Sequence, residues 1–113
     1  MNTQEYLDQL RSGIKMNFSD FTNLIDQEYA FENVAFENNG LVNSKDENQG
    51  SAKVFCFGFM HSLTKEEAIR CFGEHYQSVL DEPDNELSHV NIRNFIKTGW
   101  KGVSINFSAL QVK

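Results

Sequence analysis

The sequence predicts a compact single domain of the α+β class over residues 1–113, with about five helices and a small antiparallel sheet of two or three strands. Segments with apolar residues at helical spacing are interleaved with short segments in which apolar and polar residues alternate. The length suits one domain, and ten phenylalanines, three tyrosines and one tryptophan supply a core without disulfides or a structural metal. No internal repeat or low-complexity tract divides the chain.

Two helices are predicted at the amino-terminal end. Thr3 is placed to cap a helix over about residues 4 to 12, which would end at Gly13. A second helix follows Ser19, because apolar residues recur there at the i, i+3 and i+4 positions and Asp20 lies at the positive end of the helix dipole.

The next segment, about residues 29 to 37, predicts a strand because β-branched and aromatic residues dominate it up to the turn-forming pair Asn39 and Gly40. Residues 41–50 are polar and without period, which predicts a surface loop. A loop of this length is unusual in a compact domain, so it is a candidate for a functional role.

The apolar run from Ser51 to Ser62 has no periodicity that separates a strand from a helix. Its length favours a helix buried on nearly all sides, with Ser51 as the N-cap. The clearest helical pattern then begins with a capping box of Thr64 and Glu67 and ends at Pro83.

A further helix is predicted after Ser88, with an apolar face and with Gly99 as its left-handed terminating residue. Trp100 would then fold back on Phe95. In the last segment Val103, Ile105 and Phe107 alternate with polar residues, which predicts a half-buried strand antiparallel to the strand at 29 to 37.

Charge and signals narrow the function classes. Ten basic against sixteen acidic residues give a net charge of −6, which disfavours nucleic acid and anionic membrane surfaces as partners. The amino terminus lacks a basic region followed by an apolar region, so we expect no export by a general signal peptide.

The two cysteines, Cys56 and Cys71, stand among phenylalanines and are predicted to be reduced and buried. Cys71 and His75 are one helical turn apart, so they are a candidate metal clip on which His61 and His89 would converge. No set of these residues has the spacing of a known closed site, and we predict neither a metal nor a cofactor. Cys71 with His75 or His89 is also the best candidate for nucleophilic catalysis.

The segment "HVNIRNF" crowds polar side chains onto a predicted helix. His89 and Arg93 lie one turn apart, with Asn91 and Asn94 on the neighbouring strip. One interpretation is a site for an anionic or amide-bearing ligand, in which Arg93 is the fixed fork. The other is structural, with Arg93 and the asparagines tying the loop 41–50 to the domain.

The order of motifs "FENNG", "NQGSAKVFCF", "CFGEHYQSVL" and "HVNIRNFIKTGW" resembles the HopJ type III effector family over nearly the whole chain. The matching residues are Asn39, Gly40, Asn43, Asn48, Gly50, Ser51, Lys53, Phe55, His61, Leu63, Cys71, Phe72, Gly73, Tyr76, His89, Asn91, Ile92, Arg93, Asn94, Phe95, Gly99 and Trp100. Two positions depart from the family pattern: Ala52 replaces its usual cysteine, and the usual loop glycine near Asp46 is missing. A thiol at position 52 is therefore not required in this protein.

The resemblance implies a bacterial cytoplasmic protein that is secreted into a eukaryotic host by a type III system, and it implies no particular reaction. It adds polar matches in residues 39–53, which we expect to face the helix at residues 89–94. The resulting candidate pocket comprises Asn43, Asn48, Ser51, Lys53, His61, His89, Asn91, Arg93 and Asn94.

The function predicted from these residues is that of a non-enzymatic binding module, monomeric or weakly dimeric, for a host protein or a small polar or anionic ligand. Two alternatives remain open: a small hydrolase or deamidase using Cys71 and His89, and a metal-binding protein using histidine and cysteine side chains.

Overall fold

The computed structural model describes all residues 1–113, and it confirms the predicted α+β class. The chain forms six α-helices, five short strands and two 3-10 helices. In chain order these are α1 Thr3–Arg11, α2 Phe18–Glu28, β1 Tyr29–Phe31, β2 Phe36–Asn38, β3 Leu41–Asn43, α3 Gln49–Met60, α4 Lys65–Arg70, α5 Glu74–Asp81, α6 Val90–Thr98, the 3-10 turn Gly99–Gly102, β4 Val103–Ile105, the 3-10 turn Phe107–Ala109, and β5 Leu110–Val112.

The strands form two separate antiparallel sheets, one in the order β3-β2-β4 and one of β1 with β5. The prediction of one continuous strand over residues 29–37 is therefore wrong. Between β1 and β2, the Val34 amide donates to Gln49 Oε1 at 2.9 Å and Gln49 Nε2 donates to the Val34 carbonyl at 3.0 Å. The main-chain amide and carbonyl of Val34 are thus hydrogen-bonded by the Gln49 side chain and not by a neighbouring strand. The predicted antiparallel pairing is confirmed for β2 and β4, in which Phe36 stands opposite Ile105.

The segment predicted as a loop over residues 41–50 begins as a strand. Asn39 and Gly40 have φ of 52° and 82°, and they close a two-residue hairpin between β2 and β3. The strand was not predicted because residues 41–50 are mostly polar. Strand pairing uses main-chain groups, so β3 can pair with β2 whatever its side chains are. The remaining residues of the segment lead into α3.

The helix predicted from Thr64 to Pro83 is two helices, α4 and α5, because the chain turns at Gly73 with φ of 58° and ψ of −129°. The predicted capping box is confirmed: the Thr64 side chain accepts from the Glu67 amide and Glu67 Oε1 accepts from the Thr64 amide. At α1, however, the capping residue is Asn2 and not Thr3, and its side chain accepts from the Glu5 amide at 2.8 Å.

Helix α3 runs through the centre of the core, and it confirms that the apolar run forms a buried helix rather than a strand. The Phe55 ring lies within 6.3 Å of the rings of Phe36, Phe72, Phe95 and Trp100, measured between centroids. The predicted contact of Trp100 with Phe95 is confirmed, with centroids 5.1 Å apart. None of the helices has the length and apolar character that a membrane span requires.

Candidate functional site

A network of carboxamides joins the β2–β3 hairpin to the beginnings of α3 and α6. At its centre, Asn43 Oδ1 accepts from Asn48 Nδ2 at 2.7 Å and from Asn91 Nδ2 at 3.0 Å. Asn43 Nδ2 donates to the main-chain oxygens of Phe36 and Leu41. Asn43 is almost completely buried, so its side chain is held entirely by the protein and does not face solvent.

Asn38 connects this network to two residues of α6, Asn91 and Asn94. Its Nδ2 donates to the main-chain and side-chain oxygens of Asn91 at 2.8 and 3.1 Å, and Asn94 Nδ2 donates to the Asn38 main-chain oxygen at 3.2 Å. The segments 39–53 and 89–94 therefore lie against each other. Sequence reasoning missed Asn38, although its place just before the Asn39-Gly40 turn marks it as a residue at the end of a strand.

An open cleft of about 500 Å³ lies beside the network, and we call it the α3–α6 cleft. It is lined by Phe18, Leu41, Asn48, Gly50, Ser51, Phe72, His75, Leu87, His89, Val90, Asn91 and Ile92. Of the nine residues predicted to form one pocket, the structure brings Asn48, Ser51, His89 and Asn91 to the cleft. The other five, Asn43, Lys53, His61, Arg93 and Asn94, do not line it.

Two helices begin at the cleft, and neither has a capping side chain. Asn48 precedes α3 with φ of 53°, and His89 precedes α6 with φ of 49°. The predicted caps Ser51 and Ser88 are wrong, because left-handed residues start both helices and Ser51 lies within the first turn of α3. The first-turn amides of both helices have no partner within their own helix, and the positive ends of both dipoles lie at one recess.

The same cleft carries a pair of imidazoles. The rings of His75 and His89 are 5.3 Å apart between centroids, and the edge of His75 also meets the Phe18 ring at 5.1 Å. Both histidines are partly exposed to solvent. His75 was not predicted as a cleft residue. The turn at Gly73 directs it to the cleft, and the helical spacing of apolar residues in the sequence does not reveal that turn.

The structure does not form the candidate metal clip of Cys71 and His75. Cys71 Sγ points into the core and lies 3.7 Å from the Glu67 carbonyl, whereas His75 faces the cleft. His61 is elsewhere, with its Nε2 hydrogen-bonded to the Tyr29 hydroxyl at 2.8 Å. Burial and the Arg11 charge lower the pKa of His61. No three histidine, cysteine or acidic side chains come together in a geometry that holds a metal ion.

Arg93, for which the sequence left a ligand-binding and a structural interpretation open, does not line the α3–α6 cleft. Its side chain is among the buried polar groups, with 8% of the residue exposed, and Nε donates to the Ser88 carbonyl at 2.7 Å. The guanidinium therefore braces the chain just before α6. Lys53 also lies outside the cleft, with its ammonium 5.4 Å from the centre of the Phe31 ring.

Both thiols are unsuited to nucleophilic chemistry, because only the thiolate reacts. Burial raises the pKa of Cys56 to about 11 and that of Cys71 to about 12. We expect iodoacetamide at neutral pH to leave both cysteines unmodified in the native protein and to modify both in urea, as counted by intact mass spectrometry. Rapid single alkylation of the native protein, mapped to Cys71, would restore the hydrolase hypothesis.

The fold defines the class of the protein as a small α+β domain, and in this chain two uncapped helix beginnings and a histidine pair surround one recess. The chain belongs to the HopJ family, since the family described as HopJ type III effector protein matches residues 3–110. It is also similar to a solved protein, VPA0580, described as of unknown function, with 42% identity and a TM-score of 0.94. That similarity covers 100% of this chain and 95% of the other. No curated protein matches the chain.

Proposed function

We propose that this protein is a binding module whose α3–α6 cleft holds a small ligand with an anionic head and an apolar body. The observation that carries the proposal is the opening of two uncapped helix beginnings into one cleft. Amides with no intrahelical acceptor and the positive ends of helix dipoles favour carboxylate or phosphate groups.

The remaining cleft residues indicate what the head is attached to. Phe18, Leu41, Phe72, Leu87 and Ile92 supply apolar surface around the recess. A volume of about 500 Å³ falls within the range of small-molecule sites, which is roughly 300 to 1,000 Å³. The ligand class that fits is an aromatic or branched apolar group bearing one carboxylate or phosphate.

The histidine pair and the network have separate tasks in this proposal. His75 and His89 offer imidazole N–H groups and flat ring faces to the ligand. The carboxamides of Asn43 and Asn91 are already occupied by other protein groups, so they hold the two helix beginnings at a fixed separation. Such a preorganised site loses little conformational entropy when a ligand binds.

The family description extends the proposal to a biological setting. HopJ proteins are described as type III effectors, so we propose that the chain is secreted into a host cell and meets its ligand there. The alternative of a hydrolase using Cys71 and His89 is disfavoured, since His89 lines the cleft and Cys71, with 1% exposure, does not.

Ser51→Asp tests the cleft directly, because Ser51 occupies the first turn of α3 and its hydroxyl makes no hydrogen bond with the protein. The new carboxylate should stabilise the free protein by about 0.3 to 1 kcal/mol through the helix dipole. The same charge should abolish the rise in melting temperature that we expect millimolar phosphate or benzoate to produce in the parent protein.

Ser51→Asn is the matched control, since it adds similar bulk without charge, and it should retain most of the ligand-induced rise. Differential scanning fluorimetry measures both effects at once. Anion responses of equal size in Ser51→Asp and the parent would place the anion elsewhere. The absence of any response to phosphate and benzoate in the parent would refute the proposal.

A further inference from the structure

A second recess, separate from the α3–α6 cleft, lies where the α1–α2 connection packs against the corner between α4 and α5. It has a volume of about 410 Å³, and we call it the α4–α5 groove. Its lining residues are Gly13, Ile14, Lys15, Met16, Asn17, Arg70, Gly73, Glu74, Tyr76, Gln77 and Leu80. None of them lines the α3–α6 cleft, so the two recesses are independent.

The groove exposes apolar side chains that the core does not use. Ile14, from the α1–α2 connection, is 53% exposed, and Leu80, near the end of α5, is 52% exposed. Met16 and Tyr76 lie between solvent and core and continue the apolar surface. Apolar side chains from two elements around one recess are typical of a surface that receives a partner side chain.

The groove also carries two cations without partners. Neither Lys15 nor Arg70 forms a salt bridge, the Arg70 side chain donates no hydrogen bond, and its Nε is buried without an acceptor. The one carboxylate of the groove, Glu74, is already engaged, since its Oε2 accepts from the Phe18 amide at 2.8 Å and this bond lowers its pKa. In a chain with a net charge of −6, these two unpaired cations beside apolar residues give the groove a local positive charge.

We propose that the α4–α5 groove docks a segment of a partner polypeptide that places an aspartate or glutamate next to a leucine-like side chain. The partner carboxylate would accept from Arg70 and Lys15, and the apolar side chain would lie between Ile14 and Leu80. Charge complementarity selects this occupant, because a purely apolar segment would place no acceptor beside the cationic side chains of Arg70 and Lys15. The main chain of residues 16–18 packs directly against Gly73, so the α1–α2 connection and the corner between α4 and α5 are in contact.

The test uses an array of short peptides in which leucine, isoleucine or phenylalanine is flanked by aspartate or glutamate, with matched peptides carrying asparagine or glutamine. Binding of fluorescently labelled full-length protein is expected for the acidic peptides and not for the amide peptides. For the best peptide in solution, Arg70→Gln should raise the Kd about tenfold, as expected for loss of a charge-assisted hydrogen bond. Leu80→Asp should abolish binding by placing a like charge in the groove.

Val112→Asp is the matched control, because Val112 is 68% exposed and lines neither recess, so it should bind the peptide like the parent. Leu80→Asp keeps the test valid if Arg70→Gln fails to fold, since half of the Leu80 side chain is already in solvent. Equal binding of acidic and amide peptides, or no binding of either, overturns the proposal. So does a dimer of the parent that dissociates in Leu80→Asp, which would make a second copy of the chain the occupant.

Discussion

Gly73→Ala is expected to lower the free energy of unfolding by roughly 2 to 5 kcal/mol. Gly73 has φ of 58° and ψ of −129°, a conformation that side chains rarely adopt. A Cβ there would also collide with main-chain atoms, lying 2.8 Å from the Asn17 carbonyl carbon and 2.9 Å from the Met16 oxygen and also pressing on the Phe18 nitrogen. Main-chain atoms cannot rotate away as a side chain does, so the α1–α2 connection must shift.

Gly40→Ala separates the two causes of this loss. Gly40 also has a positive φ, 82°, but nothing lies within 4 Å of a Cβ placed there. The control should therefore lose only the conformational term, about 1 to 2 kcal/mol. Urea unfolding followed by circular dichroism measures both variants, and equal losses in the two would show that the main-chain collision has no energetic effect.

Asn43→Ala is expected to cost roughly 2 to 4 kcal/mol, because it leaves the buried Asn91 Nδ2 without its acceptor and deprives the Phe36 carbonyl of a donor. It also frees the Asn48 carboxamide that holds the beginning of α3. We therefore expect the variant to lose the anion response of the α3–α6 cleft even at temperatures where it remains folded.

Asn94→Ala is the appropriate comparison for Asn43→Ala. The Asn94 side chain makes one hydrogen bond, to the Asn38 main-chain oxygen, at a partly buried position, so its loss should cost about 1 kcal/mol. The same denaturation series gives both values, and ligand melting curves give the second readout. A small loss for Asn43→Ala would mean that water replaces the network readily, and the preorganisation proposed for the cleft would then be untenable.

The structure also gives the HopJ motif a physical interpretation. The polar block at residues 89–94 divides into residues that face the cleft, such as His89, and residues that maintain the scaffold, such as Arg93 and Asn94. Gly73, another position of the motif, is required by the close approach of a neighbouring main chain. The residues of this chain that match the family pattern therefore include both scaffold positions and cleft positions.

The resemblance of the sequence motifs indicated the family. Local chemistry in the sequence was sufficient to predict the α+β class, the buried α3 and the capping box of α4. It also predicted the contact of Trp100 with Phe95 and the burial of both cysteines. Each of these depends on residues close in the chain or on apolar character, and both kinds of information are present in the order of residues.

Only the tertiary structure decided which polar side chains face the α3–α6 cleft. Asn43 and Asn48 are similar in the sequence, yet Asn43 is buried and Asn48 lines the cleft, because the hairpin register turns Asn43 towards α6. The meeting of His75 with His89 depends on the turn at Gly73, which forms because the main chain of residues 16–18 packs there. Such contacts join distant parts of the chain, and helical or strand periodicity carries no information about them.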